Sequence, residues 1–584
     1  MCGIFGHTFR QDIRLDLSRT ALKVLDHRGP DSWADWHDKN VYSGHTRLAI
    51  LDLSDNGKQP MYDQDRSVVI TVNGEIYNFR ELRSFLSKKY SFTSESDSEV
   101  ILHGYREWGI EGLLNRLEGM YAFSVYDVIN KVVYLARDRV GIKPLYYSSC
   151  RGEVAWASEL KAIEIYSKNE LNIDLTAYYD FLTYRYVPSP KTIYKEVNKL
   201  PAGHFVKIDL NTLKITVRQY WDVEVGGVGL SLNEASVRLQ EIVDEAVDKQ
   251  MVSDAPLGMF LSGGLDSSIV ANSVSKCRSG IKSYCIDFDD SEYDESVYAE
   301  IMAKKCLTDH SNKTVSSDSA IAVMDKLKTL YDEPFADTSA IPTYLLSKFA
   351  ANDCKVLLSG DGGDELFAGY KSYSSFMDKS KLIKLNNPSI VNALVKLRSS
   401  NQNNFFSRVI RYYQRRNIYI GIELFASIMG GLTKAEKDKY KSLWGIENDY
   451  DDYWYYRKYY REDLDCVTRL QYLDFKTLLP DCILTKVDRA SMSASIEVRV
   501  PLLSTKLIEF SFSLPTEITY LNNELKGFAK YSYANILPRE IISRGKRGFS
   551  IPIHKWRSKL IEGSYTWQEH ILISMFNQEK TLGL

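Results

Sequence analysis

"FLSGGLDSS", Phe260 to Ser268, decides how the second half of this 584-residue chain is read. The apolar run "PLGMFL" (Pro256 to Leu261) leads into a Gly/Ser turn and then a helix start, so strand, tight turn and helix are expected in direct succession. Backbone N–H groups presented at such a turn, added to the positive end of the helix dipole, cradle phosphate oxygens. No Gly-Lys-Ser/Thr follows, so the loop is not a Walker A. In place of that cation it carries Asp266, a carboxylate suited to holding Mg²⁺ against a polyphosphate. Taken alone, a capped strand-to-helix junction reads the same way.

A second loop of the same build, "LLSGDGGDELFAGY" (Leu357 to Tyr370), ends another buried-type strand. In open α/β sheets, ligands sit outside the carboxyl ends of strands, where two such loops converge. Asp266 and Asp364 could then share one Mg²⁺, with Asp361 and Glu365 as further acceptors. The strand-like "KSYCIDF", "NKTV" and "CKVLLSG" alternate with helical runs such as "DESVYAEIMAKKC", which predicts an open parallel α/β sheet. From about Lys371 to the end the sequence reads as mostly helical and aromatic-rich.

"SGGLDSS" resembles the pyrophosphate loop of N-type ATP pyrophosphatases. With "DEPFADTSAIPTYLLS", "SGDGGDELFAGY", "SMSASIEVRVPLL" and "KRGFSIP" following in that order, the second half resembles the synthetase domain of glutamine-hydrolysing asparagine synthetases. The resemblance implies a synthetase domain over residues 235–584, a parallel-sheet α/β fold of the adenine nucleotide alpha hydrolase type with extra C-terminal helices. It implies ATP held by Leu261, Ser262, Gly263, Gly264, Leu265, Asp266 and Ser267 together with Ser359, Gly360 and Asp361. It also makes Lys546, in "KRGF", the lysine that steadies the adenylate.

The first third carries strand-like runs, "SVVITVNGEIYNF", "GMYAFSVYDVINKVVYLARD" and "GEVAWASE", and reads as a mixed α+β layer fold. The Gly-rich "VGGVGLS" before the helical "NEASVRLQEIVDEAVDKQM" marks the linker. At the start, "MCGIFG" places Cys2 directly behind Met1. An α-amino group titrates at about 7.7–8.0, against about 10.4 for lysine, so removal of Met1 would leave one residue carrying both a nucleophile and a base poised for cytoplasmic pH.

"CGIFG", "HRGPD" (His27 to Asp31), "RLAILD" (Arg47 to Asp52), "NGEIYN" (Asn73 to Asn78), "SDSEV" (Ser96 to Val100) and "RDRVGIKPLYY" (Arg137 to Tyr147) together resemble the N-terminal nucleophile amidotransferases. That family implies a four-layer αββα sandwich over residues 2–215, with Cys2 as the nucleophile. Arg47 becomes the clamp for the α-carboxylate of glutamine, and Glu75 with Asp97 the anchors for its α-ammonium. Asn73 also contacts glutamine, and with Gly74 it forms the oxyanion hole. The residue types suit these tasks: guanidinium grips carboxylate bidentately, and an amide with a Gly N–H can face a developing oxyanion.

Lys+Arg 74 against Asp+Glu 76 leaves a formal charge of -2, without the electrostatic footprint of a nucleic-acid or anionic-membrane partner. "DDYWYYRKYYRED" mixes aromatics with bases, but its acids cancel them. Neither a secretory leader nor a membrane span is expected, and the cytoplasm is the default. Eight cysteines without a CxxC pair read, apart from Cys2, as reduced and structural. Joined, the two resemblances imply a ligase using glutamine, ATP and Mg²⁺. Ammonia freed at Cys2 passes internally to an adenylated carboxylate; with aspartate as acceptor the product is asparagine. Another carboxylate, such as a sugar acid of surface-polysaccharide biosynthesis, would fit the same motif order. A glutaminase or nitrogen sensor with an inactive nucleotide-binding half is a further alternative, and a homodimer is left open.

Overall fold

A computed structural model describes residues 2–288, 295–384, 421–545, 548 and 566–576, apart from Gln11, Arg151, Asn169 and Val228. The N-terminal part carries β1 (Gly3–Thr8), β2 (Ser32–His37), β3 (Val41–Arg47), β4 (Met61–Tyr62), β5 (Val68–Ile76) and β6 (Gly119–Asp127). These are followed by β7 (Val132–Arg137), β8 (Tyr146–Cys150), β9 (Glu153–Ala157), β10 (Val197–Lys199), β11 (His204–Asp209) and β12 (Ile215–Gln219). They form two six-stranded sheets, ordered β10-β8-β9-β1-β3-β2 and β12-β11-β7-β6-β5-β4.

Side-chain alternation explains how the sheets stack. In β5, Val68, Ile70 and Val72 pack with the helices Phe79–Leu86 and Glu99–Arg116, whereas Val69 points into the core between the sheets. In β1, Phe5 faces the helices Leu15–Lys23 and Leu160–Ser167, and Ile4 faces the other sheet. Helix, sheet, sheet, helix is the αββα sandwich expected from sequence. The same period of two places Cys2 with Ile4, and Asn73 and Glu75 with Val69, on the faces between the sheets.

The C-terminal part opens with the helix Leu232–Gln250, started by a capping box between Ser231 and Glu234. Beyond it, β13 (Leu257–Phe260), β14 (Lys282–Phe288), β15 (Asp309–Val315), β16 (Val356–Leu358) and β17 (Glu497–Arg499) form a parallel sheet ordered β15-β14-β13-β16-β17. β17 departs from the helical reading of the chain beyond Lys371. Three residues are too few to show a period, and β17 is a strand because it pairs with β16, Leu358 lying against Arg499. No helix among the described residues is long and apolar enough to cross a membrane.

A buried ion network fastens the two parts together. Arg28, fully buried, donates to both oxygens of Asp488 at 2.9 and 3.1 Å, to Glu159 at 2.8 Å and to the carbonyl of Cys2 at 3.1 Å. Arg489, one residue beyond Asp488, pairs with Glu159 at 3.2 Å and with Asp332. Removing one member of a buried pair strands the other charge, which costs about 3–5 kcal/mol. Asp488→Ala should therefore lower the free energy of denaturant unfolding by an amount in that range, and a wild-type value would show that the network does not hold the halves together.

Candidate active sites

Cys2 sits at the entry to β1, buried to 8% exposure, and its main-chain N–H donates to Oδ1 of Asn73 at 3.1 Å. That bond fixes which way the Asn73 amide faces. Its Nδ2 is left buried without a hydrogen-bond partner. Burial pushes the Cys2 thiol up from its usual range, while the Leu48 N–H and the Arg47 charge pull it down. Gly74 follows Asn73 where β5 and β6 approach closely: a Cβ there would lie 2.1 Å from the Met120 carbonyl oxygen, so no side chain fits.

Arg47 ends β3 and donates to the carbonyls of Ser54 (2.7 Å) and Asp52. Among the described residues no carboxylate pairs with it, so its charge is available to a ligand. Gly57 leaves room for the buried guanidinium, since a Cβ there would come within 2.2 Å of Nη2. Glu75, two residues beyond Asn73 on β5, lies beside Asp97. Asp97 accepts the Ile76 N–H at 2.7 Å, and Arg499, from β17, donates to Glu75 at 3.0 Å. Burial and the Asp97 charge hold Glu75 well above the carboxylate range against the pull of Arg499, and burial also raises Asp97. The pair thus retains a proton where an ammonium could sit.

The histidines His27 and His45 are both engaged in hydrogen bonds. His27 bonds the Val24 carbonyl and Glu159, on the ion network, and His45, bonded to the Val72 carbonyl, is pushed down to about 3 by burial.

The second cluster lies at the carboxyl ends of β13 and β16, adjacent strands in register from Leu257 against Val356. Leu261 to Gly264 turn into the helix Leu265–Cys277, which puts Leu265, Asp266 and Ser267 in its first turn. Gly263 has φ +65°, and a Cβ there would meet the Tyr298 main chain at 2.3 Å. The second loop lies directly on the first. A Cβ at Gly360 would come within 2.7 Å of the Ser267 nitrogen, and one at Gly363 within 2.5 Å of the Asp266 carboxyl. Ser359 bonds Asp361 within that loop, and burial with the Asp364 charge pushes Glu365 up to about 7.

Sequence reasoning missed Lys526. It reaches both aspartates, at 2.6 Å from Asp364 and in contact with Asp266, from a left-handed backbone (φ 57°) before the helix Gly527–Tyr533. Burial works against its ammonium, but the Asp266 and Asp364 charges outweigh it and hold its pKa above the ordinary lysine value. Nothing in "NELKGFAK" marks this lysine, because its partners lie 260 and 162 positions earlier in the chain. Lys546 lies outside the described residues.

Both loops and Lys526 line one cavity of about 870 Å³, within the usual range for ligand sites. Its wall also carries Arg185, Asp337 and Lys486, with Lys486 bonded to Ser339 at 3.0 Å and 3.9 Å from Asp337. Asp266 and Asp364 offer hard oxygen donors of the kind Mg²⁺ takes alongside phosphate oxygens and water. Among the described residues no group of three or more His, Cys, Asp or Glu could hold a metal without such a ligand.

The Asparagine synthase family model matches residues 238–581, and the Glutamine amidotransferase domain model matches residues 1–221. Over 576 residues the chain is 31% identical to glutamine-hydrolysing asparagine synthetase 1 of Bacillus subtilis, covering 95% of this chain and 88% of that protein. Glutamine-hydrolysing asparagine synthetase 3 of the same organism is 28% identical over 94% of this chain and 86% of its own length. Among solved structures, the B. subtilis glutamine phosphoribosylpyrophosphate amidotransferase complexed with ADP and GMP covers 54% of this chain and 65% of its own at 15% identity and TM-score 0.30, too slight a likeness to argue from.

The proton held between Glu75 and Asp97 has a measurable consequence. An α-amino ligand seated there would displace it, so binding should strengthen as pH rises through the raised titration of the pair, which Arg499 and Glu497 flank. KM for glutamine, measured by glutamate release between about pH 5 and pH 8, should fall toward the alkaline end, away from the ordinary carboxylate range. A KM that is flat with pH would mean the pair is already ionised.

Proposed function

The chain belongs to the asparagine synthase family, and from that premise we propose that it aminates aspartate through an aspartyl-adenylate, drawing its nitrogen from glutamine hydrolysed at Cys2. The observations that support the first half are the Cys2 N–H bond to Asn73, whose Nδ2 has no partner, an Arg47 whose charge pulls the Cys2 thiol down, and the Glu75–Asp97 pair, with Glu75 on the same face of β5 as Asn73. After excision of Met1, the Cys2 amine takes the thiol proton as sulfur attacks the amide carbon of glutamine. The oxyanion that forms is met by Asn73 Nδ2 and the Gly74 N–H. Collapse returns the proton to the leaving nitrogen, frees ammonia and leaves a γ-glutamyl thioester, which water hydrolyses to glutamate and the thiol.

At the second site a carboxylate oxygen of the acceptor attacks the α-phosphorus of ATP and the α–β bond breaks, releasing pyrophosphate into the cradle of Ser262 to Ser267 and Ser359 to Asp361. Ammonia then adds to the acyl carbon, loses a proton and displaces AMP. Mg²⁺ would be held by Asp266 and Asp364 and would neutralise polyphosphate charge. Lys526, released from the two aspartates, donates to phosphate oxygens as negative charge builds, and Lys546 remains a second lysine for that task. Aspartate is favoured over a sugar acid by Arg185, Lys486 and Asp337 on the cavity wall, two cations and a carboxylate that suit a free carboxylate and an ammonium. The glutaminase half takes residues 2–215 and the synthetase half 235–584, acting in the cytoplasm, with a homodimer as the one assembly to look for.

Glutamine- and ATP-dependent turnover across a panel of acceptors tests this reading. Aspartate should yield AMP and pyrophosphate in step with asparagine, whereas ADP and phosphate, or turnover confined to a sugar acid, would refute it. Cys2→Ala should abolish glutamine-dependent synthesis while ammonium still supports it. Asp266→Asn should cost several kcal/mol of transition-state stabilisation, about 10³-fold or more in synthesis, yet leave glutamate release measurable.

A further inference from the structure

Arg499 is almost fully buried, at 1% exposure, and takes no part in the chemistry above, yet its contacts run to both sites. Its Nε donates to Glu497 at 2.6 Å, and its Nη1 to the carbonyls of Gln250 and Val252 at 2.8 and 2.6 Å, at the carboxyl end of the helix Leu232–Gln250. Its Nη2 donates to Glu75 at 3.0 Å. Its main-chain carbonyl accepts the N–H of Ser359, the first residue of the second phosphate loop, at 2.9 Å.

We propose that Arg499 is the positioning residue that sets Glu75 for the α-ammonium of glutamine and links that setting to the loop beginning at Ser359. The inference rests on the reading of Glu75 as an ammonium anchor. A guanidinium held on three other acceptors is a rigid fork, so the Glu75 oxygen it grips is fixed, and the carboxylate turns its remaining interaction toward Asp97. Lysine, a single point charge on a flexible stem, cannot reproduce four directed bonds. The strand pairing of Leu358 with Arg499 makes the other end equally stiff. A ligand that moves Ser359 to Asp361 moves the peptide whose side chain holds Glu75. Coupling of this kind is reciprocal: filling the second site changes glutamine affinity, and glutamine changes affinity there by the same factor.

The test uses the full chain and measures KM and kcat for glutamate release with and without ATP and aspartate. In Arg499→Lys, KM for glutamine should rise about tenfold with kcat within about threefold, the signature of lost ground-state binding. Arg499→Gln should raise it further. The change in KM that ATP and aspartate produce in the unmodified enzyme should disappear in both variants. A KM within about twofold of the unmodified enzyme in Arg499→Lys, or parallel losses in glutamine-dependent and ammonia-dependent synthesis, would overturn the proposal. Should Arg499→Gln fail to fold, Arg499→Lys in a Glu75→Gln background decides. It should add nothing to the effect of Glu75→Gln alone, and additive effects would refute the link. Unmodified enzyme that releases no glutamate would instead refute the reading of Cys2 and Glu75 beneath it.

Discussion

The buried guanidinium of Arg28 is the constraint on which the rest depends. One side chain binds the carbonyl of Cys2, Glu159 behind the first sandwich sheet, and Asp488 on the far side of the junction. Because buried charges tolerate no missing partner, the halves meet in the one orientation that satisfies all of them. Lys143, 3.8 Å from Asp488 and itself buried, and Arg489 with Asp332 extend the same lock. Hydrophobic packing supplies most of the adhesion but is indifferent to small slides, whereas directed bonds are not. The position of Cys2 relative to β17 is therefore set by electrostatics laid over an apolar contact.

Each site, without its substrates, keeps its anionic groups in check with a small cation. Between Glu75 and Asp97 it is a proton, retained because two buried carboxylates so close cannot both ionise cheaply. Between Asp266 and Asp364 it is the Lys526 ammonium, whose pKa rises for the same reason seen from the other side. On the proposed reading, binding at either place would be an exchange of cations, an ammonium for the proton and Mg²⁺ for the Lys526 ammonium.

Much of this was legible in the sequence, because the parts that carry chemistry are local. "FLSGGLDSS" and "LLSGDGGDELFAGY" are each a strand end, a turn and a helix start, and glycine spacing alone predicts their form. The alternation in "VVITVNGEI" places Asn73 and Glu75 on one face. What escaped was built from distance. Lys526 has no local signature, since its partners arrive from loops that begin and end elsewhere. β17 is three residues long and owes its strand conformation to β16. Arg499 was visible only as a letter inside "SMSASIEVRVPLL", and its meaning depends on Glu75, more than four hundred positions away.

Asn73 and Gly74 form the dipeptide most prone to spontaneous loss of ammonia from an asparagine side chain, through attack of the following main-chain nitrogen on the amide carbon. That reaction needs a pliable backbone. Here the dipeptide is clamped in the middle of β5 against Ala122 and Tyr121, and the amide carbonyl is engaged by the Cys2 nitrogen. The fold therefore sets the chemical lifetime of the asparagine proposed as its oxyanion donor. While the strand is paired the asparagine is protected. Each excursion that frees the strand gives it a chance to close to a succinimide, which water opens to isoaspartate or aspartate, leaving an acceptor where the proposed role requires a donor. Ageing of this protein would then appear as a more acidic form that no longer releases ammonia from glutamine.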